Sequence, residues 1–168
     1  MKVILYMAVS ANGRITGKDE EVDWVSKNSW GSYLATLKGV GNMIIGHNTY
    51  KVMGEDELQD EYLYVVMTKH LKTSDKRNVL FSDQDPKNVL ELLESKGYKK
   101  ALVAGGSQIN SLFMKQGLVD EVYLDIEPIL LGKGISLFDE ADFEYELKLL
   151  DTKKLSKNTI QLHYQVIK

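Results

Sequence analysis

Residues 102–113 read LVAGGSQINSLF, a short apolar run that ends in two glycines and a serine before a helical pattern begins. The apolar run predicts a buried strand, and Ser107 can cap a helix whose apolar stripe is Ile109, Leu112 and Phe113. The glycine pair has two interpretations. It can be a tight strand-to-helix turn, or it can be bare backbone on which a phosphate rests at the helix N-terminus.

Apolar runs elsewhere in the chain repeat this order of strand and helix. Helical patterns begin at Ser26, at Asp85-Pro86 and at Ser107, each with a capping residue at its start. Alternation of strands and helices predicts a mainly parallel sheet with right-handed crossovers. The runs that predict strands buried on both faces are Val3–Val9, Asn42–Gly46, Tyr62–Met67, Ala101–Ala104 and Val119–Ile126.

The C-terminal part of the chain has a different period. Residues 145–149 and 160–166 alternate apolar and polar side chains, and the connection between them is short. This period of two predicts an antiparallel hairpin beside the sheet. We therefore expect a single α/β domain, residues 1–168, with a three-layer α/β/α fold in which a mainly parallel sheet ends in an antiparallel C-terminal hairpin.

Composition and charge argue against several classes of function. The 168 residues carry a net charge of −3, and we expect no nucleic-acid partner because such partners select a basic face. The chain has no cysteine, which excludes disulfides, thiolate zinc sites and cysteine nucleophiles. No spacing of the other ligand residues predicts a metal site. The N-terminal apolar run is too short to span a bilayer, so we expect a cytoplasmic protein with no membrane partner.

Three glycine-containing loops follow predicted strands, at residues 10–17, 45–50 and 104–108. In a parallel sheet such loops share the carboxyl edge of the strands, where ligands bind in open α/β folds. Helices begin directly after two of the loops, and the free N–H groups of a helix N-terminus suit phosphate. Gly46–Thr49 and Gly105–Ser107 are therefore candidate anion cradles that face one crevice. Each loop taken alone is also explained as a simple turn.

Charged residues near this edge have two interpretations each. His47, Lys69 and His70 can bind a phosphate, or Lys69 and His70 can be solvated loop residues. Asp23 can bind or protonate a heterocycle, or it can help to cap the helix that follows. Glu127 ends a predicted strand and faces either the crevice or the solvent.

The loops taken together resemble the dihydrofolate reductase fold family. Residues 10–17 (SANGRITG) and 44–53 (IIGHNTYKVM) are similar to two of its loops, and residues 103–138 are similar to its glycine-pair loop and the Pro-x-x-x-Gly-x-Gly segment beyond it. The chain looks most like the branch that contains the C-terminal reductase domain of the bifunctional riboflavin-biosynthesis deaminase-reductases, which has stand-alone bacterial members. The resemblance covers essentially the whole chain.

The resemblance implies a reductase that uses NADPH, takes a small-molecule substrate and forms a homodimer. The residues implied to bind the cofactor are Ala8, Ile15 and Gly17 beside the nicotinamide, Gly46, His47, Asn48 and Thr49 at phosphates, Met67, Thr68 and Lys69 around the adenosine, and Gly105, Gly106, Ser107, Gln108 and Ile109 at the pyrophosphate. His47 and Lys69 are implied to face the 2′-phosphate. The candidate substrate-binding residues are Ser10, Asn12, Arg14 and Trp30, and the candidate catalytic residue is Asp23.

Departures from the family pattern bear on the substrate. Folate reductases carry an acidic residue where Trp30 stands, and no carboxylate lies between Ser26 and Asn42. Asn12 replaces an aspartate of the riboflavin reductases, although Arg14 matches one of their basic positions.

These comparisons leave a main expectation and two alternatives. We expect an NADPH-dependent reductase of a small heterocyclic or carbonyl substrate, such as a riboflavin-pathway pyrimidine or a pteridine. The riboflavin branch itself implies 5-amino-6-(5-phosphoribosylamino)uracil reductase activity. The alternatives are a divergent dihydrofolate reductase and a non-catalytic nucleotide-binding or interaction protein.

Overall fold

The computed structural model of the protein describes residues 1–70 and 73–168. The helices are α1 (Lys27–Val40), α2 (His47–Met53), α3 (Pro86–Ser95) and α4 (Ser107–Lys115). The strands are β1 (Lys2–Ser10), β2 (Asn42–Gly46), β3 (Leu63–Met67), β4 (Val79–Ser82), β5 (Lys100–Val103), β6 (Glu121–Glu127), β7 (Leu147–Lys154) and β8 (Ile160–Val166). In this described part of the chain, no helix is long and apolar enough to cross a membrane.

The strands named above form one sheet in the order β4-β3-β2-β5-β1-β6-β8-β7. Neighbours from β4 to β6 pair in parallel, and β8 pairs antiparallel with both β6 and β7. This confirms the predicted α/β fold with a mainly parallel sheet and an antiparallel C-terminal hairpin. The prediction missed β4, because only residues 79–81 of that strand are apolar and so short a run shows no period.

Helices cover both faces of the sheet. On one face, α3 buries Val89 and Leu93, and α4 buries Phe113. On the other face, α1 buries Leu37, and Met53 of α2 packs against the same apolar cluster. The inner strands are buried along most of their length, which explains why their sequences are continuously apolar rather than alternating.

The carboxyl ends of the parallel strands meet at one edge of the sheet. Helix α2 begins directly after β2, and α4 begins after a three-residue connection, 104–106, that follows β5. Such short connections leave the first N–H groups of each helix at this edge, without partners inside the helix. Both glycine-containing connections therefore open on the same side of the molecule.

Candidate active site

A cavity of about 1010 Å³ opens at the carboxyl edge of the parallel strands. Its size is at the upper end of the range for small-molecule sites. One part, called the loop half below, is formed by residues 46–49, 67–69, 82–84, 104 and 106–109. The other part, called the α1 half, is formed by Tyr6, Val22, Val25, Ser29, Trp30 and Tyr33.

Two glycine loops meet in the loop half. The backbone N–H of Gly46 donates to the carbonyl oxygen of Gly105 at 2.8 Å. A Cβ at Gly46 would lie 3.0 Å from Cγ1 of Ile109, so a larger residue at this position would have to displace the Ile109 side chain. Gly105 has a φ of +93°, where a side chain is strained, and the Gly105–Gly106 peptide bond is cis. The glycines therefore lie where two segments of the chain pass at close range.

Bare backbone and hydroxyl groups line the space between these loops. A Cβ at Gly106 would have Thr49 Oγ1 as its near neighbour, at 3.5 Å, so the cavity side of Gly106 is open. Gly106, and not Ser107 as predicted, is the N-cap of α4, and Ser107 is the first residue of that helix. Thr49, Gly106 and Ser107 thus line the same part of the cavity, where the free N–H groups at the start of α4 suit an anion.

The outer end of the loop half is polar and carries the basic residues His47 and Lys69 as well as the carboxylate of Asp83. Thr68 and Lys69 follow β3, Ser82–Gln84 belong to the end of β4 and the residues after it, and His47 lies half-buried at the start of α2. The N–H of His70 donates to the hydroxyl of Thr68 at 3.1 Å. The structure thus places His47 and Lys69 in the lining of the same cavity, beside a strand that the sequence pattern did not reveal.

The α1 half is lined by aromatic and aliphatic side chains. Trp30 meets Tyr33 edge-on with their ring centres 5.8 Å apart, and Tyr33 meets Tyr6 edge-on at 5.5 Å. The hydroxyl of Tyr33 donates to Sδ of Met43 at 2.9 Å. Burial raises the pKa of Tyr6 and of Tyr33 above that of an ordinary phenol, so both side chains stay neutral. This wall is therefore apolar, and its rings hold one another in place.

Glu127 lies behind the α1 half and is 1% exposed. Its Oε1 accepts from the backbone N–H of Ser26 at 2.9 Å and from the hydroxyls of Ser26 and Ser29 at 2.8 and 2.6 Å. Its Oε2 accepts from the hydroxyl of Thr159 at 3.2 Å. Burial alone would raise the pKa of Glu127, but the hydrogen bonds from Ser29 and Ser26 outweigh it and the pKa is lowered. Glu127 faces neither the crevice nor the solvent, contrary to both sequence interpretations; it holds the N-terminus of α1.

A second buried carboxylate, Asp125, lies two residues before Glu127 on the same face of β6. The hydroxyl of Tyr6 donates to its Oδ2 at 2.7 Å, and Nε2 of Gln161 donates to its Oδ1 at 2.8 Å. Burial raises the pKa of Asp125, and these hydrogen bonds offset only part of that effect. Nε2 of Gln161 also donates to Ser32 on α1, at 2.9 Å. The sequence prediction missed this cluster, and its only signal was a pair of acidic residues inside an apolar strand.

The loop after β1, residues 10–17, is hydrogen-bonded to residues 131–136, and several of its side chains point away from the cavity lining. The side chains of Asn12 and Arg14 donate to backbone carbonyls of that segment at 3.0 and 2.9 Å. The hydroxyl of Ser10 donates to Oδ1 of Asn12 at 2.8 Å. None of these three side chains lines the cavity, whereas Ile15, from the same loop, does. Their hydrogen bonds position the loop.

The structure brings most of the predicted site residues into this one cavity. Gly17 and Gly105 lie next to lining residues in the chain, and Asp23 lies on an exposed turn outside the lining. The alternative interpretation of Asp23, as the cap of the helix that follows, is wrong, because Ser26 is the N-cap of α1. The predicted residues that line the cavity are Ala8, Ile15, Trp30, Gly46, His47, Asn48, Thr49, Met67, Thr68, Lys69, Gly106, Ser107, Gln108 and Ile109.

A mainly parallel eight-stranded sheet with an antiparallel C-terminal pair, and a cavity at the carboxyl edge of its parallel strands, gives the protein a dihydrofolate reductase-like α/β fold. Within that fold class the chain belongs to the RibD C-terminal domain family, whose sequence profile matches residues 1–161. This is a family of reductase domains.

Individual relatives agree with this assignment. YwjB of Bacillus subtilis (strain 168) is 31% identical over 97% of this chain and 97% of its own length. A structure from Shewanella sp. PV-4, named for riboflavin biosynthesis, superposes with a TM-score of 0.85 at 21% identity and covers 100% of both chains. A dihydrofolate reductase of Enterococcus faecalis, solved with NADP(H), superposes with a TM-score of 0.74 at 16% identity and covers 98% of this chain and 96% of its own. At these identities the two structural matches establish the fold.

Proposed function

We propose that the protein is an NADPH-dependent reductase that transfers hydride to a small heterocyclic or carbonyl substrate. The observation that carries this proposal is the meeting of two glycine loops in one cavity, where bare backbone at Gly106 lies beside the N-terminus of α4. Membership in a family of reductase domains supports the reaction class. The fold relative solved with NADP(H) supports the choice of cofactor.

The residues of the loop half fit such a cofactor. Gly106 and Ser107 would hold the pyrophosphate with backbone N–H groups and a hydroxyl, and Thr49 adds a hydroxyl from the opposite loop. His47 and Lys69 would bind the 2′-phosphate, which is the group that distinguishes NADPH from NADH. The donor set therefore matches the anionic groups of NADPH.

The chemistry depends mainly on positioning. When bound, NADPH supplies the hydride. Ala8, at the end of β1, and the buried Ile15 line the cavity with small or apolar groups, which leaves room for a flat ring and keeps water away from it. Tyr6 and Tyr33 stay neutral and hold a rigid wall against which a substrate lies. The protein's contribution is thus to hold two reactants in contact in the right orientation.

Saturating NADPH is expected to raise the melting temperature by about 5 to 10 °C. A ligand that binds only the folded state at a hundred times its Kd adds about 2.7 kcal/mol. In a domain of this length, each kcal/mol shifts the melting temperature by about 2 to 4 °C. Differential scanning fluorimetry measures the shift, and an unchanged melting temperature contradicts the proposal.

Comparison with NADH tests the assignment of the 2′-phosphate. NADH is expected to give a smaller shift than NADPH, and Lys69→Ala should remove most of the difference between the two. Lys87→Ala is the matched control, because Lys87 is an exposed lysine on α3 outside the cavity lining. Equal shifts for NADH and NADPH in the unaltered protein would contradict the roles of His47 and Lys69.

We also propose that the protein is a homodimer assembled through β7. This strand is the outer edge of the sheet and is exposed along its whole length, with Leu147, Leu149 and Leu150 among its exposed residues. Its first half carries these three leucines and leaves backbone N–H and C=O groups open to another chain, whereas Lys153 and Lys154 oppose pairing along its second half. Light scattering should give about twice the chain mass of 19.0 kDa. Leu149→Asp should give monomers, and the control Lys153→Ala, on the same strand, should remain a dimer. If the unaltered protein is a monomer, the proposal is wrong.

A further inference from the structure

We propose that the α1 half takes a flat heterocycle that carries no phosphate or carboxylate and that presents N–H donors. This inference rests on the proposed function, because the cofactor is assigned to the loop half and the α1 half is then left for the substrate. It narrows the proposed substrates from heterocyclic or carbonyl compounds in general to uncharged heterocycles. A phosphoribosyl pyrimidine carries a phosphate and a folate carries a glutamate, so the inference disfavours both.

The shape of the α1 half favours a flat ring. Trp30 lines the cavity and is 42% exposed, so part of its indole is free to stack on a ligand. Its edge-on contact with Tyr33, at an interplanar angle of 83°, fixes the plane of the indole. Tyr33 is in turn held by its ring contact with Tyr6 and its hydrogen bond to Met43. A preformed aromatic wall gives a planar ligand a large contact area at low entropic cost.

The charge around the α1 half is negative. Glu20, two residues before Val22 of the α1 half, contributes a carboxylate to the cavity lining, and the ionised Glu127 accepts a hydrogen bond from the hydroxyl of Ser29. Among the described residues, the basic side chains that line the cavity are His47 and Lys69, and both belong to the loop half, which also contains the carboxylate of Asp83. A phosphate or carboxylate placed against this wall would lose its water and meet like charge.

Arg14, the basic residue of the first loop, serves another purpose. Its guanidinium donates to the carbonyl oxygen of Gly134 at 2.9 Å and to the hydroxyl of Ser136 at 3.0 Å. It also lies outside the cavity lining. The position that matches a basic residue of the riboflavin reductases therefore fastens a loop in this chain.

Ser29 determines whether the α1 half offers a hydrogen-bond donor or an acceptor to a ligand at this point of its wall. It lines the cavity, and its hydroxyl donates to Oε1 of Glu127 at 2.6 Å. A hydroxyl has one hydrogen, so Oγ of Ser29 can only accept a hydrogen bond from a ligand. A ligand that contacts this atom brings an N–H or O–H donor, and the ring nitrogens and amino groups of pyrimidines and pteridines supply one.

Matched ligands that differ by one anionic group test the proposal. Isothermal titration would compare pterin with pterin-6-carboxylate, and uridine with uridine 5′-monophosphate, with and without saturating NADP⁺. NADP⁺ is used because it has no hydride to transfer. We expect the anionic member of each pair to bind at least about tenfold more weakly. Equal or tighter binding of the anionic members overturns the proposal, and so does an absence of binding by both pterin and uridine.

Three variants separate charge from shape. Glu20→Lys reverses the charge of the lining and should bring the two members of each pair within about threefold of each other. Glu144→Lys, at an exposed position outside the lining, should leave the difference unchanged. Trp30→Ala should weaken pterin binding by about tenfold without changing the affinity for NADP⁺. Persistence of the full anionic penalty in Glu20→Lys, or of pterin affinity in Trp30→Ala, contradicts the corresponding part of the proposal.

The proposed function and this inference fail in different ways. If NADP⁺ does not bind, the cofactor assignment is wrong, while the preference for uncharged heterocycles is still measured on the free protein. If NADP⁺ binds but the anionic ligands bind more tightly, only the substrate inference is wrong.

Discussion

Gly106→Val is expected to weaken NADPH binding at least a hundredfold, a loss of about 2.7 kcal/mol of binding free energy. The valine methyl groups would fill the gap next to Thr49, whose Oγ1 would lie only 3.5 Å from the new Cβ. That gap is the space proposed for the pyrophosphate. The backbone of Gly106 has a φ of −71°, which residues with side chains adopt, so the variant should fold. Titration calorimetry measures the affinity, and circular dichroism verifies the fold.

Two further variants make this result interpretable. Gly39→Val adds the same side chain on α1 at a position where a Cβ has no neighbour within 4 Å, and it should bind NADPH normally. Ser107→Asp places a carboxylate in the first turn of α4, where it stabilises the helix but repels a phosphate. If Gly106→Val and Ser107→Asp both bind NADPH normally, the glycine pair is only a turn.

Glu127→Ala is expected to lower the free energy of unfolding by about 3 kcal/mol. The substitution removes the acceptor of four hydrogen bonds, which come from Ser26, Ser29 and Thr159. Ser29 and Thr159 are buried, so their hydroxyls lose a charged partner that water cannot readily replace. Urea unfolding at neutral pH measures the loss. A change below about 1 kcal/mol would contradict the role of Glu127 as the anchor of α1.

Glu127→Gln provides a test of pH dependence. Because the pKa of Glu127 is lowered in the folded state, its stabilising contribution is fully present above the ordinary value of 4.5 and is lost as the pH falls through the lowered value. The unaltered protein should therefore lose more stability below pH 4.5 than the glutamine variant does. Glu144→Gln, at an exposed position, should keep the acid dependence of the unaltered protein. Identical acid dependence in Glu127→Gln contradicts the prediction.

The two glycine loops of the cavity could be predicted from the sequence, because each follows an apolar run that is recognisable as a strand. Gly46 and Gly105–Ser107 follow apolar runs directly, and parallel strands necessarily bring the loops at their carboxyl ends to one edge. This geometry depends on strand direction rather than on side-chain detail. The contact between the two loops, with Gly46 against Ile109, is a consequence of the same topology.

The buried carboxylates could not be predicted in the same way. The donors to Oε1 of Glu127 lie 98 to 101 residues away in the chain, and Gln161 lies 36 residues from Asp125. No local period encodes such partners, because only the packing of α1 on β6 and β8 brings them together. The hydrogen bonds of Arg14 to Gly134 and Ser136 also join residues that are far apart in the chain, so no local period predicts them.

Helix α1 is tied to the C-terminal hairpin by side chains in its first two turns. Asn28 donates to the carbonyl oxygen of Leu155 at 2.9 Å, and Ser32 accepts from Gln161 of β8 at 2.9 Å. The helix that carries Trp30 is therefore held in place by the hairpin of β7 and β8, and β7 is an edge strand of the sheet. A second chain docked on β7 would stiffen that support and, through it, the aromatic wall. Substrate affinity would then rise with protein concentration, while cofactor affinity, set by loops on the opposite side of the cavity, would stay constant.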